Sequence, residues 1–555
     1  MILTKFLEKR RRRDWKEFFF ILAAFLLFAS PANAQTPSPA AKNGTSPSAI
    51  PRTKSRPDVA RFRARVDNIL AQAHAQHSFW GVLVTDRDTG ETLYELNAGK
   101  LFTPASNRKV FTTIFALAAL GPEHRYSTFL ASNVPLGADG RLAGDLIFRG
   151  AGDPDLSNRK FPFAGKAERE GPIDKVLTEM ADAAVAKGLK VVDGDIVADD
   201  SLFPYDPYPA GWEIGDLFFT YGAPVSAIAF NENAISVEVR PGEEVGDPAV
   251  LTVQPAAAAG TFREEIITGA AGGKPEFSVL RRPGLDFILL RGSIPVGHPP
   301  AKLDLPMTDP AETTAEALKL ILKSRGVGVT GSTRVQHAPP PERKASGEVS
   351  LLPRGGANSR DLILMLAEHV SPSLLESVRL TNKISQNLHT ELFLRTVASE
   401  KIGVGSSDVG FKLEQDFLKS VGIADGDVIF TDGSGAAGNN LITPRSIVQI
   451  LQYAARQPWG ADFASTLPIA GVDGSLEFRM QGTPASGSIQ AKTGTHSHHH
   501  TLAGYATTLA GERLVFAIFC NNTAERGRDA TGPMDEIAVA MIEELGNRPA
   551  RKQKK

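Results

Sequence analysis

The chain has 555 residues, with 61 Lys and Arg against 62 Asp and Glu, and 42% of its residues are apolar. That balance excludes a nucleic-acid or polyanion binder that works by bulk charge, and the length predicts about three domains at roughly 100–200 residues each. The single cysteine, Cys520, excludes an internal disulfide framework and any Cys-x-x-Cys metal site; in the apolar run LVFAIFC a buried, inert thiol is expected.

In chain order, the first segment reads as an export signal. KRRRR (Lys9–Arg13) precedes a 12-residue apolar run, Phe18–Ala29, and the small-x-small site Ala32-Asn33-Ala34 precedes Gln35. The run is short for a membrane span, which takes about 20 residues. Cleavage after residue 34 and a periplasmic body are therefore expected, with a retained anchor and a twin-arginine route as the alternatives. Residues 35–57, rich in Pro, Ser, Thr, Ala and Lys, read as a flexible linker.

Val59, Phe62, Val66, Ile69, Leu70 and Ala73 then recur at helical spacing, and FWGVLVTD (79–86) with ETLYEL (91–96) reads as a β-hairpin. The segment 104–122 predicts a helix that is apolar nearly all round after Lys109 and stops at Gly121-Pro122, which places it at a domain centre. From Tyr126 to Ala345 short β-like runs alternate with Gly, Pro and Asp turns. Helical texture is expected to return over 360–400, including DLILMLAEHV, and again over 443–457, where Thr443 is a good N-cap and Pro444 a good first-turn residue. The runs QAKTGT, HTLAGYATTLA and ERLVFAIFC predict strands, and 533–545 a closing helix. The basic tail, 546–555, reads as solvated, with contact to an anionic wall polymer or membrane surface as the alternative.

The simplest architecture is an α/β domain, discontinuous over 58–126 and 346–545, with one or two β-rich domains inserted at 127–345. No feature sets an oligomeric state.

Ser106 and Lys109, three apart at a helix start, share one face. Serine is a weak nucleophile unless a neighbour takes its proton, and an amine does so only when burial or another cation pulls its pKa down. Free N–H groups at the helix start suit a developing oxyanion. Ser385-Gln386-Asn387 lies between two helical stretches and offers a hydroxyl for proton relay and an amide for a peptide backbone. Lys492-Thr493-Gly494 lies in a strand-like run, with a cation for a carboxylate and a glycine for close backbone approach. Each motif alone has a bland reading as a cap, a loop serine or a solvated lysine.

Together, S-x-x-K, S-x-N and K-T-G resemble the penicillin-binding proteins and serine β-lactamases. TPASNRK (103–109), GAGDPDLS (150–157), YGAPVSAIAFNEN (221–233), EHVSPSLLE (368–376), NKISQNLHTE (382–391), TDGSGAAGNNLITP (431–444), LPIAGVDGSLEFRM (467–480), AKTGT (491–495) and LAGY (502–505) narrow the resemblance. They point to the class C low-molecular-mass D-alanyl-D-alanine carboxypeptidase/endopeptidases, peptidase family S13. The resemblance implies a penicillin-binding, β-lactamase-like transpeptidase domain with insertions, and an exported enzyme that cleaves peptidoglycan peptides and is inhibited by β-lactams. It implies Ser106 as nucleophile, Lys109 as its base, Ser385 as proton relay and Asn387 as a ligand of the acyl side. It further implies Lys492, Thr493 and Gly494 at the substrate carboxylate, the N–H groups of Ser106 and Thr495 as oxyanion hole, and no cofactor. A β-lactamase and a catalytically idle wall-binding scaffold are the alternatives.

The sequence departs from the family pattern twice. Ala436, Ala437 and Gly438 stand where Leu-Ser-Arg commonly follows Asp-Gly-Ser-Gly. His496-Ser497-His498-His499-His500 stands where a Leu-Ser-Gly type hairpin turn is usual. Strand alternation would place His496, His498 and His500 on one face, which leaves zinc physically open, but Ser/Lys acyl transfer needs no metal; a rim beside the groove is expected.

Overall fold

The computed structural model describes residues 56–281, 287–340, 362–525 and 527–546. The expected export signal, nearly all of the linker and all but the first residue of the tail lie outside them.

The chain opens with helix α1 (Pro57–Leu70), where Pro57 occupies the first helical turn at no hydrogen-bond cost. The hairpin β1 (Phe79–Asp86) and β2 (Thr92–Leu96) follows, and then helix α2 (Arg108–Leu120), which ends at Gly121 with φ 88°. The later part of the chain adds helices α3 (Leu374–Ile384), α4 (Asn387–Ile402), α5 (Ser407–Ser420) and α6 (Pro444–Ala455). Thr443 caps α6, its hydroxyl accepting from Ser446 N at 3.0 Å. Strands β3 (Ile489–His496), β4 (His499–Thr507) and β5 (Arg513–Asn521) and helix α7 (Gly527–Glu544) close the fold.

These two ends of the chain build one antiparallel sheet in the order β3-β4-β5-β1-β2. Its side chains alternate between two cores. Leu514, Phe516, Ile518 and Cys520 of β5 pack with Phe62, Val66, Ile537 and Met541 of α1 and α7. Val515, Ala517 and Phe519 pack with Val110, Phe111 and Ile114 of α2. Because β5 is covered on both faces, its sequence is continuously apolar instead of alternating, and Cys520 is buried with its thiol pushed up to about 11 by desolvation. Strand β3 lies at the sheet edge and carries Lys492, Thr493 and Gly494.

Between α2 and α3 runs a second, mixed five-stranded sheet in the order Thr333–Ala338, Ile196–Pro204, Leu146–Arg149, Ser127–Ser132, Leu364–Val370. Three small sheets adjoin it in sequence, built from strands between Arg141 and Val329. Two expectations are corrected here. Leu364–Val370, read as helical, is a strand paired antiparallel with Ser127–Ser132; its apolar residues gain more by covering a sheet edge than by forming a turn of helix. The stretch read only as β-rich also holds helices Lys175–Ala186 and Pro310–Ser324, which pack against this sheet. Residue 346, where the peptidase part was expected to resume, lies outside the described residues. Among the described residues no helix is long and apolar enough to cross a membrane.

A buried ion pair anchors the start of α2. The Arg108 guanidinium donates to both Glu414 oxygens at 2.8 and 2.6 Å and to Asp432 O at 2.9 Å, and it sits 3.6 Å above the Phe430 ring. Removing one partner of such a pair leaves a charge buried alone. Glu414→Ala is therefore expected to lower stability by about 3–5 kcal/mol in denaturant titration; an unchanged midpoint would contradict a buried, charged pair.

Candidate active site

The turn that carries Ser106 is held under strain. Ala105 has φ +46°, the left-handed region, without being glycine, a conformation that costs on the order of 1–3 kcal/mol and persists only when neighbours enforce it. They do so here. Asn107 Nδ2 donates to Thr501 Oγ1 at 2.7 Å, and Thr501 Oγ1 donates to Pro104 O at 2.7 Å, pinning the turn to β4. Two glycines let further backbone close on it: a Cβ at Gly435 would lie 2.0 Å from Ala105 O, and one at Gly494 would lie 2.5 Å from Pro104 O and 3.1 Å from Ser106 N. Ser106 is half-buried, while the turn's other residues are buried.

Beneath it, Lys109 is fully buried. Its Nζ lies 3.0 Å from Ser106 Oγ and donates to Asn387 Oδ1 and to Ser434 O, both at 2.6 Å. Burial pulls the ammonium down to about 7, against the attraction of Asp432 and Glu391 and with help from Arg108. Glu391 is itself pushed up to about 7, first by burial and then by Asp432. Asp432 organises the loop that supplies the Ser434 carbonyl: its oxygens accept from Gly435 N, Ala437 N, Asn440 Nδ2, Ser434 Oγ and Trp212 Nε1 at 2.7–3.0 Å.

A second lysine–serine pair stands beside the first. Helix α3 ends with Ser385 in the left-handed conformation, φ 64°, and Gln386 caps α4 through Leu388 N, so Ser385 and Asn387 sit at the junction of two helices. Lys492 Nζ, reaching from the edge strand, donates to Ser385 Oγ at 2.9 Å and to Thr493 O at 2.8 Å. Burial first, and Lys109 second, hold the Lys492 ammonium well below its ordinary range. Thr493 Oγ1 lies 2.6 Å from Ser475 Oγ.

Ser106, Ser385, Asn387 and Thr495 line a cleft of ≈ 760 Å³, with Lys109 and Lys492 fully buried. All the residues singled out from the three motifs thus come together. The cleft also takes in residues that sequence reasoning missed. Glu213, Asp216 and Tyr221 line it, and the Tyr221 carbonyl accepts from Asn387 Nδ2 at 2.9 Å. Glu391 and Glu414 support it from helices α4 and α5. Asp432 carried a signal, the Asp-Gly-Ser-Gly turn, and Tyr221 and Glu391 fall within the phrases 221–233 and 382–391; the contacts of Tyr221, Glu391 and Glu414 each span more than forty residues of chain, so their roles could not be read locally.

The histidine run does not keep strand alternation, because Ser497-His498 forms a two-residue hairpin turn and His496 pairs with His499. His496 Nε2 donates to Gly435 O at 2.9 Å, and His496 and His500 line the cleft; His498 Nδ1 instead bonds Thr523 O at 2.9 Å. Burial holds the His500 imidazole low. Among the described residues no three His, Cys, Asp or Glu gather as a metal site.

The model of the D-Ala-D-Ala carboxypeptidase 3 (S13) family matches residues 62–352 and 354–541. The chain belongs to that family. It is 30% identical over 500 residues to the D-alanyl-D-alanine carboxypeptidase of Actinomadura sp., covering 88% of this chain and 86% of that one. It is 25% identical over 468 residues to D-alanyl-D-alanine carboxypeptidase DacB of Haemophilus influenzae, covering 81% and 87%. The crystal structure of penicillin binding protein 4 (dacB) from Haemophilus influenzae superposes with a TM-score of 0.70 at 23% identity, over 86% of this chain and 98% of that one. A structure of the same protein in complex with a β-lactam superposes with a TM-score of 0.67 at 22% identity, over 87% of this chain and 98% of that one. The mixed α/β fold is therefore that of a penicillin-binding protein.

Within this S13 chain, His496 ties β3 to the loop that holds Lys109. His496→Ala is expected to slow turnover of a D-Ala-D-Ala peptide about fivefold, the worth of one hydrogen bond of about 1 kcal/mol. His498→Ser and treatment with a chelator should leave the rate unchanged. Equal rates for His496→Ala and the unsubstituted enzyme would refute the link.

Proposed function

We propose that the protein is an exported serine DD-peptidase of the periplasm that cleaves peptidoglycan stem peptides through an acyl-enzyme on Ser106. The observation that carries the reading is the environment of Lys109. A neutral amine has two N–H groups and one lone pair. Asn387 Oδ1 and Ser434 O take the two N–H groups at 2.6 Å, which leaves the lone pair for the Ser106 hydroxyl at 3.0 Å. With its pKa near 7 the amine is available as a base under ordinary conditions.

Ser106 Oγ attacks the carbonyl of the penultimate D-Ala and passes its proton to Lys109. The backbone N–H groups of Ser106 and Thr495 receive the oxyanion, and the tetrahedral adduct collapses with the departing amine taking a proton from Ser385. Lys492, through its bond to Ser385, resupplies that hydroxyl. Thr493 binds the substrate's terminal carboxylate, and the same carboxylate restores the charge on Lys492 that burial in the empty cleft opposes. Asn387 orients the amide of the acyl side. Glu213 and Asp216 on the cleft wall suit a stem peptide whose side chain carries a free amine. Water then attacks the acyl carbonyl, giving its proton through Ser385 to Lys492, and Lys109 returns its proton to Ser106 Oγ as the acid departs. A β-lactam, as bound in the Haemophilus influenzae relative, enters by the same attack and leaves slowly.

A fluorescent penicillin should place one covalent label on Ser106, and Ser106→Ala should carry none while melting like the unsubstituted protein. Rapid turnover of the penicillin would favour a β-lactamase instead; no label and no peptide hydrolysis would favour a scaffold.

The pH profile tests the base. Lys109 works when deprotonated, so the acylation rate should rise about tenfold per pH unit below about 7 and level off above it. Lys109→Ala should lower the rate at least about a thousandfold. A flat profile from pH 5 to 8 would sink the assignment of Lys109 as base.

A further inference from the structure

Glu391 is a fully buried carboxylate to which the proposed reaction gives no role. It sits on α4 four residues after Asn387, and so on the same face of the helix. Its Oε1 accepts from Gly433 N at 2.8 Å, and the Gly433 carbonyl accepts from Thr112 Oγ1 at 2.6 Å, on α2 three residues after Lys109. A Cβ at Gly433 would lie 3.0 Å from Thr390 O and 3.3 Å from Glu391 Oε2, so glycine lets the loop come this close to α4. Gly433 is thus held from two helices, and Ser434, next in the chain, offers its carbonyl to Lys109 Nζ at 2.6 Å. Both acceptors of the base therefore depend on α4: Asn387 Oδ1 directly, and Ser434 O through Glu391 and Gly433.

A backbone N–H needs an acceptor and not a charge, so an amide would serve at this position. A buried carboxylate is the more costly group, and Asp432 beside it opposes its charge further. Two cations that face it are already engaged: Arg108 of α2 pairs with Glu414 of α5, and Arg395, one turn on along α4, donates to Asp206 O. The bonds of Lys109 end instead on uncharged oxygens. Arg108 opposes a charge on Lys109, as Lys492 of β3 and Lys109 oppose each other's. Asp432 and Glu391 favour that charge, but the Asp432 oxygens also accept from five loop and side-chain donors.

We propose that Glu391 is a positioning residue for the base: it holds the Gly433 turn that offers the Ser434 carbonyl to Lys109, and its charge steadies the ammonium that Lys109 becomes when Ser106 attacks. The inference rests on the reading of Lys109 as the base and names the group that keeps so deeply buried an amine basic enough to act. Its sign is fixed by electrostatics. A carboxylate favours the charged amine, so without that charge Lys109 is a weaker base, yet it is free of its proton at lower pH. The first effect slows acylation where the amine is already neutral, and the second speeds it where the amine is still protonated.

The test follows the acylation rate of the whole mature protein by a fluorescent penicillin from about pH 5 to about pH 9. Glu391→Gln keeps the volume and an oxygen for Gly433 N but loses the charge. Its profile should level off about threefold lower with its midpoint about one pH unit lower, so that the profiles cross and the variant is the faster at about pH 5.5. Glu391→Asp keeps the charge but is one methylene too short for Gly433 N, and should lose about fivefold at every pH with the midpoint unmoved. A loss of packing lowers a whole profile and makes no crossing. Glu391→Gln should melt no lower than the unsubstituted protein, because it relieves a buried charge. If it does not fold, Glu391→Asp still decides: a moved midpoint or an undiminished rate there overturns the proposal. A Gln midpoint that stays in place or moves up overturns it as well, while leaving Lys109 as the base. An unsubstituted protein that takes no label overturns the reading of Lys109 itself, and the role of Glu391 with it.

Discussion

The burial of one lysine is the constraint on which the rest depends. Lys109 is fully buried, and desolvation opposes its charge more strongly than Asp432 and Glu391 support it. A buried amine with no acceptors would cost the fold several kcal/mol. The molecule meets that cost with Asn387 Oδ1 and the Ser434 carbonyl. Each acceptor must in turn be held. Asn387 is fixed by α4 and by the Tyr221 carbonyl, and Ser434 by the Asp432 turn. Arg108, one residue before Lys109, donates to Asp432 O and pairs with Glu414. Helices α2, α4 and α5 and the 431–440 loop are thus tied together by the hydrogen bonds of two adjacent residues.

The same constraint explains the pairing of two lysines in one cleft. Like charges so close oppose each other, and Lys492 is pushed down by burial and by Lys109. Two ammonium groups cannot both persist there without an anion. In the proposed mechanism a substrate carboxylate is that anion, so its arrival favours the charge on Lys492 where a neutral peptide's does not. On that reading a preference for a free carboxylate comes from the desolvation of the site together with the contact proposed at Thr493.

Much of this was legible in the sequence. The sheet strands, α1, α2 and α6 follow from periodicity and capping, because both ends of the chain form one regular two-sided core. Ser106, Lys109, Ser385, Asn387 and Lys492 could be singled out because they fall in three short motifs, S-x-x-K, S-x-N and K-T-G, placed at a helix start, a junction of helices and an edge strand. What could not be read came from competition between local and distant partners. Leu364–Val370 has a helix-like composition, yet the open edge at Ser127–Ser132 took it as a strand. Lys175–Ala186 places Val176, Leu177, Met180, Ala181 and Ala184 on one buried face, a signal that was present but masked by the surrounding turns. The histidine run, expected to be a rim, left zinc physically open only while the chain was drawn straight; the hairpin at Ser497-His498 sends its rings to different partners. Glu414, Glu391 and Tyr221 had no readable role, since each depends on a residue far away in sequence.

The inserted part of the chain is joined to the site from both directions. On one side its Tyr221 carbonyl holds Asn387; on the other its Phe163 ring stands over Lys383, two residues before Ser385 ends α3. Between these, Ser377 of α3 donates to Asp155, and the half-buried Arg159 and exposed Arg169 pair with the buried Glu232 in a cluster that reaches Gln386. Glu232 is held near 2 by Arg159 and Arg169 against the pull of burial, so the cluster stays charged and its geometry fixed. This polar bracket holds one buried carboxylate, Glu232, between two arginines. Its position, gripping both sides of Ser385-Gln386-Asn387, argues that the insertion sets where that motif stands relative to Ser106, so that the reach of the cleft toward its substrate is determined outside the peptidase sheet.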